Sequence, residues 1–175
     1  MIYSRYQQKL NRYETIVNEL FLAAERQSAS ALNTPLQEGK WSTGQQLFHV
    51  IRVSEVTMDY LEYKIQQQAA APKAGISSFV RSTLLNIALI LPIKFKAPAI
   101  TAAVGEDHTI SDLTGYHQQQ IIRIKAYLGQ MTAADRKKAL FKHPRAGRIS
   151  MDQTLRFLAL HARHHLKQVN KGINN

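Results

Sequence analysis

The chain has 175 residues, of which 45% are hydrophobic and 20% are charged, as expected of a globular protein that can bury a core. It contains no cysteine, which excludes disulfides and thiolate metal sites, so any metal ligand must come from His, Asp or Glu. The net charge is +11, but the basic residues are scattered apart from one denser patch between Arg136 and Arg148, which is interpreted as a solvated basic face. No aromatic residues are interleaved with them, which argues against nucleic-acid binding as the function.

The length predicts a single domain over residues 1–175. Residues 1–10 are polar and lack the apolar region of a signal peptide. No apolar run approaches the roughly 20 residues that a membrane-spanning helix needs. We therefore expect a cytoplasmic protein without a transmembrane segment.

Four segments carry apolar residues at the spacing of three and four that is typical of amphipathic helices. They cover about residues 2–28, 43–68 and 109–131, and a last helix that follows Ser150. Ser42-Thr43-Gly44-Gln45 and Ser150-Met151-Asp152-Gln153 both fit a capping box, which marks a helix start. No segment alternates with period two. The sequence therefore predicts an all-α protein, a four-helix bundle without strands.

The connection between the second and third of these helices contains an intensely apolar stretch, residues 84–93. Pro92 and Pro98 interrupt any helix there. A buried helix followed by an irregular connection is the favoured interpretation. A dimer contact or a wall of an apolar substrate pocket is the alternative.

The last helix contains His161 and His165, four residues apart. Residues at this spacing lie on one helical face, so two imidazoles can share one metal ion. At about 100° per residue, His165 lies roughly 50–60° from the centre of the apolar stripe and His161 roughly 100° from it, whereas His164 lies roughly 160° away, next to solvent. We therefore predict His161 and His165 as ligands and His164 as a surface residue. The alternative is that the pair consists of incidental polar residues on an amphipathic helix.

A third ligand is predicted on the second helix, where His49 shares an inward stripe with Val53, Val56 and Tyr60. Helical bundles build metal sites from side chains on facing helices. The alternative for His49 is a core histidine that is bonded to another side chain.

Two further histidines are not predicted to be ligands. His117 is interpreted as a core or surface residue of the third helix. His143 lies in Phe141–Gly147, which is predicted to be a loop because proline and glycine punctuate it.

Several of these features together resemble the DinB-like superfamily, and its second DinB subfamily in particular. They are Trp41-Ser42, the helix with Gln46-Leu47-Phe48-His49, the loop from Phe141 to Gly147, and the run from His161 to Val169 that includes His164-His165-Leu166-Lys167-Gln168. The superfamily includes YfiT-like metal-dependent hydrolases and the bacillithiol S-transferases.

The resemblance implies an up-down-down-up bundle with a long crossover between helices two and three. It implies a divalent metal, zinc or nickel, held by His49, His161 and His165, and often a homodimer. It also implies a small-molecule substrate and, for some members, a low-molecular-weight thiol.

Three function classes follow. A metal-dependent transferase that uses a thiol on an electrophile is preferred, because Glu55 and Asp59 are predicted on the outer face of their helix and no general base is evident. A metal-dependent hydrolase is the second class. A non-enzymatic, stress-related bundle with a vestigial or structural metal site is the third.

Overall fold

A computed structural model describes residues 2–67, 71–91 and 99–173, with side chains from residue 6 onward within these ranges. The elements, in chain order, are α1 (Ile2–Glu25), α2 (Ala29–Asn33), α3 (Thr43–Gln66), α4 (Ile76–Ile90), α5 (Ala99–Ala102), α6 (Ile110–Gln130), a 3₁₀ turn (Asp135–Lys137), β1 (Phe141–His143), β2 (Gly147–Ile149) and α7 (Met151–Ile173).

The four predicted long helices correspond to α1, α3, α6 and α7, with ends within three residues of the expected ones. Both predicted capping boxes form. Ser42 accepts from the backbone N–H of Gln45, and the Gln45 side chain accepts from the backbone N–H of Ser42. Ser150 and Gln153 make the same reciprocal pair at the start of α7. Local side-chain chemistry therefore sets where these two helices begin.

Contacts between the helices establish their directions. Glu55 of α3 bonds Tyr116 of α6, and Glu62, seven residues later in α3, bonds Arg123, seven residues later in α6. The two helices therefore run parallel. Lys9 pairs with Asp152, near the starts of α1 and α7, which are also parallel.

The two parallel pairs run in opposite directions. Gln27, just after α1, bonds Thr43 at the start of α3. Likewise, Glu14 of α1 pairs with Lys125 of α6, whereas Phe21, further along α1, contacts the earlier His117. The order is thus up-down-down-up, with the long crossover between α3 and α6, as expected.

The favoured interpretation of the apolar crossover as a buried helix is wrong. In α4 the buried residues are mostly polar, and large apolar side chains such as Phe79 and Leu84 are 65% and 60% exposed. The polar face is buried because Ser78 and Ser82 bond Gln153 of α7. The predicted break at Pro92 and Pro98 lies outside the described residues.

The expectation of a loop from Phe141 to Gly147, and of no strands, is also wrong. β1 and β2 form an antiparallel hairpin in which Phe141 pairs with Ile149 and His143 with Gly147. Three residues connect the strands, and Gly147 has φ +65°, a left-handed conformation that glycine adopts without steric cost. The strands are too short for a period-two pattern to be recognised.

The core lies between the four long helices and the hairpin. Its most deeply buried side chains include Leu10, Leu20, Leu47, Ile51, Ile124 and Leu155. None of the helices in the described ranges is long and apolar enough to cross a membrane.

Candidate metal centre

Three imidazoles from two antiparallel helices meet at one end of the bundle. His49 lies in the second turn of α3, His161 lies near the middle of α7, and His165 lies one turn further along α7. One nitrogen from each ring lies within 4.8 Å of the others. The ring centroids are 4.6 Å apart for His161–His165, 4.9 Å for His49–His165 and 5.1 Å for His49–His161. The fold therefore brings His49, the predicted third ligand, next to His161 and His165.

Hydrogen bonds orient two of the rings. The Nδ1 of His49 lies 2.8 Å from the carbonyl oxygen of Thr101, which can only accept, so Nδ1 carries the proton. The Nδ1 of His165 bonds Oε1 of Gln46 in the same way. In a neutral imidazole with a protonated Nδ1, the lone pair is on Nε2, the nitrogen that binds a metal.

The spacing between the Nε2 atoms of the two α7 histidines fits a shared ion. Nε2 of His165 lies 3.2 Å from Nε2 of His161. Two ligands of a tetrahedral ion with bonds of about 2.1 Å are separated by roughly 3.4 Å. The donor set of three imidazoles, without thiolate, suits zinc, nickel or copper.

Burial keeps the three rings neutral. It lowers the pKa of His49, although the Thr101 carbonyl partly opposes the shift. It lowers the pKa of His161 and His165 well below the usual histidine range, and the neighbouring histidines add to both shifts. Neutral imidazole is the form that binds metal, so protons compete weakly at pH 7.

His164 was predicted to be a surface residue, but it is half-buried. Its Nδ1 bonds the carbonyl oxygen of Leu89 at 3.2 Å, and its Nε2 bonds the Gln168 amide at 2.6 Å. The apolar stripe of α7 marks only one of its buried sides, and α4 packs against a second side. Both ring nitrogens of His164 have protein partners, and His164 is not part of the three-histidine group.

His117 is a buried core histidine that contacts Tyr13 and Phe21, consistent with its predicted role. Burial, with a smaller contribution from Lys125, lowers its pKa to about 4. His143 was not predicted to be a ligand, and it too lies outside the three-histidine group. It is nevertheless buried beside that group, with its ring 4.5 Å from that of Phe157.

A cavity of about 440 Å³ opens onto the three histidines. Its apolar walls include Leu85 and Leu89 of α4, so the alternative interpretation of the crossover, a pocket wall, describes these residues correctly. Lys40 and Arg145 also line it. No Asp or Glu is among the described residues that line this cavity.

Three supporting residues were not assigned a role from the sequence. Gln46 precedes His49 by nearly one helical turn, and this spacing could have suggested its orienting role. Thr101 is distant from the histidines in sequence, and no sequence feature indicated its role. Trp41 lies 4.8 Å from the ring of His49 and 6.2 Å from that of His165, measured between centroids. These residues orient and shield the imidazoles.

No curated protein matches the chain in sequence. Among solved structures, the chain is similar to YfiT from Bacillus subtilis, described as a probable metal-dependent hydrolase with an unusual four-helix bundle topology. The identity is 18% and the TM-score 0.56, over 96% of this chain and 85% of YfiT. This likeness establishes a shared fold.

A sequence model of the DinB superfamily matches residues 10–169, most of the chain. The matched range includes all four long helices in whole or in large part, and all three clustered histidines. The chain therefore belongs to the DinB superfamily.

Proposed function

We propose that this protein binds a divalent transition metal, zinc or nickel, through His49, His161 and His165, and transfers a low-molecular-weight thiol to an electrophilic small molecule. The convergence of three neutral imidazoles at an apolar cavity carries the proposal. Three protein ligands with an open fourth position are typical of catalytic sites, whereas structural sites have four protein ligands.

The described residues that line the cavity offer no free base, which favours a thiol over water as the nucleophile. Among the described lining residues there is no carboxylate. Both ring nitrogens of His164 have protein partners, and Nδ1 of His143 accepts from backbone N–H groups. Glu55 and Asp59 pair with Arg52 and Arg123 away from the cavity.

A bound divalent ion supplies Lewis acidity that lowers the pKa of a coordinated thiol, and so removes the need for a separate base. Gln46 and Thr101 hold the ring orientations of His165 and His49. Leu85 and Leu89 exclude water from one wall of the cavity. In the transfer, the thiol sulfur loses its proton to solvent and bonds the electrophilic carbon, and the leaving group departs with its electron pair.

Hydrolysis is the second candidate function. It is supported by the structural similarity to YfiT, which is described as a probable metal-dependent hydrolase. A divalent ion held by the same three histidines would then activate water in place of a thiol.

Metal analysis followed by activity assays tests the proposal. Protein refolded with zinc or nickel should hold close to one equivalent, and less than about 0.2 equivalents would contradict a catalytic metal site of the affinity that three imidazoles confer. The loaded protein should then accelerate conjugation of at least one low-molecular-weight thiol to a model electrophile. Ester or amide hydrolysis without conjugation would favour the second candidate.

The homodimer remains a prediction. The exposed apolar side chains of α4, among them Phe79 and Leu84, support it because a second copy would remove them from water. Light scattering of the purified chain would measure its mass directly.

A further inference from the structure

His143 does not belong to the three-histidine group, but it is buried beside that group at the cavity wall. It is the last residue of β1, it is 8% exposed, and it lines the same cavity as His161 and His165. Its ring packs edge-on against Phe157, with centroids 4.5 Å apart. The ring is therefore held at the cavity wall by the hairpin on one side and by α7 on the other.

The turn of the hairpin determines the tautomer of His143. Its Nδ1 accepts hydrogen bonds from the backbone N–H groups of Arg145 and Ala146, both at 3.1 Å. A backbone N–H can only donate, so Nδ1 must carry a lone pair, and the single proton of the neutral ring is on Nε2. Arg81 of α4 donates to the carbonyl oxygen of Ala146 and anchors the same turn.

The remaining nitrogen is an unused donor. Within the part of the chain that the structure describes, Nε2 of His143 has no hydrogen-bond partner, and it is not among the buried atoms shielded from solvent. The donor is thus open to the cavity. A fixed neutral N–H at a cavity wall binds an oxygen acceptor well, because no rotamer or tautomer has to be selected when the ligand arrives.

The surroundings of the donor indicate the class of acceptor. Lys40 and Arg145 line the cavity, and no carboxylate does so among the described residues. This charge distribution favours an anionic oxygen over a neutral one. Leu85, Leu89 and Phe157 supply apolar surface for the rest of the ligand.

We infer that His143 is a substrate-binding hydrogen-bond donor, which holds a carboxylate of an otherwise apolar ligand through Nε2–H. The identification of this ligand as the substrate rests on the function proposed above. The assignment of the donor and of its tautomer is independent of that function.

Nitrogen NMR of the full chain at pH 7, with and without zinc, tests the tautomer. Long-range spectra of ¹⁵N-histidine protein should show His143 with a protonated Nε2 and an unprotonated Nδ1. A proton on Nδ1, in either a neutral or a charged ring, would overturn the inference.

The ligand class is tested with hexanoate, and with hexanamide as its neutral analogue. Hexanoate should shift the Nε2 resonance of His143 and bind more tightly than hexanamide. Equal affinity for the two, or no saturable binding of hexanoate up to about 10 mM, would overturn the carboxylate assignment.

Two asparagine variants separate binding from folding. In His143→Asn the side-chain oxygen can still accept from the turn, but the donor to the cavity is lost, so the hexanoate affinity should fall about tenfold. His164→Asn is the matched control, because both ring nitrogens of His164 are already used, and its hexanoate affinity should stay within twofold of wild type, a free-energy change of about 0.4 kcal/mol. Unchanged hexanoate affinity in His143→Asn would refute the role of Nε2.

Zinc content distinguishes a failure of this inference from a failure of the proposed function. His143→Asn should retain the zinc stoichiometry of the wild type. A wild-type chain that binds no zinc would contradict the proposed function, while the tautomer and hexanoate results would still decide the role of His143.

Discussion

Nε2 of His165 faces Nε2 of His161 at 3.2 Å, one helical turn apart on α7. The Nδ1 atom of His165 donates to Gln46 of α3, so its Nε2 has only a lone pair to present. His49 presents its own Nε2 to the same space, because its Nδ1 donates to Thr101. Two lone pairs that converge in a buried place are costly unless a cation or a proton lies between them.

Removal of either clustered histidine of α7 should abolish stoichiometric metal binding. His161→Ala and His165→Ala each leave two imidazoles, which hold zinc or nickel far more weakly than three. His164→Ala is the control on the same helix and should keep nearly one equivalent of metal by mass spectrometry. Equal loss in all three variants would refute the assignment of the ligands.

Gln46→Leu should weaken metal binding without removing a ligand. The amide oxygen of Gln46 orients His165, and loss of such a partner typically lowers metal affinity by about 10–100-fold. Competition with a chelator would measure the affinity. Gln66→Leu, at the exposed end of the same helix, should leave it unchanged. Equal affinities for wild type and Gln46→Leu would contradict the orienting role.

His117→Phe should make the metal-free protein less sensitive to acid. Burial lowers the pKa of His117 to about 4, below the ordinary value of 6.5. Between these two values the unfolded chain binds a proton that the folded protein does not, so the free energy of unfolding falls as the pH is lowered. One such histidine contributes a slope of at most about 1.4 kcal/mol per pH unit.

Denaturant unfolding at pH 7, 6 and 5 would give this slope for wild type and for His117→Phe. The difference between the two slopes isolates His117 because other groups titrate alike in both proteins. If the free energy of unfolding depends on pH with the same slope in both proteins, His117 is not the cause of the acid sensitivity.

Gln153→Ala should destabilise the fold by about 1–3 kcal/mol, because its side chain caps α7 and also bonds the buried face of α4. Gln153 accepts from Ser78 and from the backbone of Ser150, and donates to Ser82. Leu84→Gln, on the exposed face of α4, should change the free energy of unfolding by less than about 0.5 kcal/mol. Urea denaturation would measure both. A larger effect in Leu84→Gln would indicate that this face is covered in solution.

The bundle could be predicted because its determinants are local. Apolar spacing defines α1, α3, α6 and α7, and the side chains of Ser42 and Ser150 cap two of them within a few residues. The spacing of His161 and His165 likewise needs only helical geometry to become a candidate pair. The position of His49 on the inward face of α3 follows from the same periodicity.

The surroundings of the site depended on contacts between distant segments. His164 was misplaced because its burial depends on Leu89 of α4, 75 residues away in sequence. The exposed apolar face of α4 reverses the usual pattern, since its polar side bonds Gln153. Helical phase describes one helix at a time and does not reveal which neighbour covers which side.

The sequence by itself thus determined the helices, their caps and the three histidines that are candidates for metal binding, because periodicity and capping act within one or two turns. Only the tertiary structure decided that these histidines meet, that Gln46 and Thr101 orient them, and that a hairpin turns the Nε2–H of His143 into their cavity. Those features depend on hydrogen bonds that join α3, α5, α7 and the hairpin, and such bonds exist only once the chain has packed.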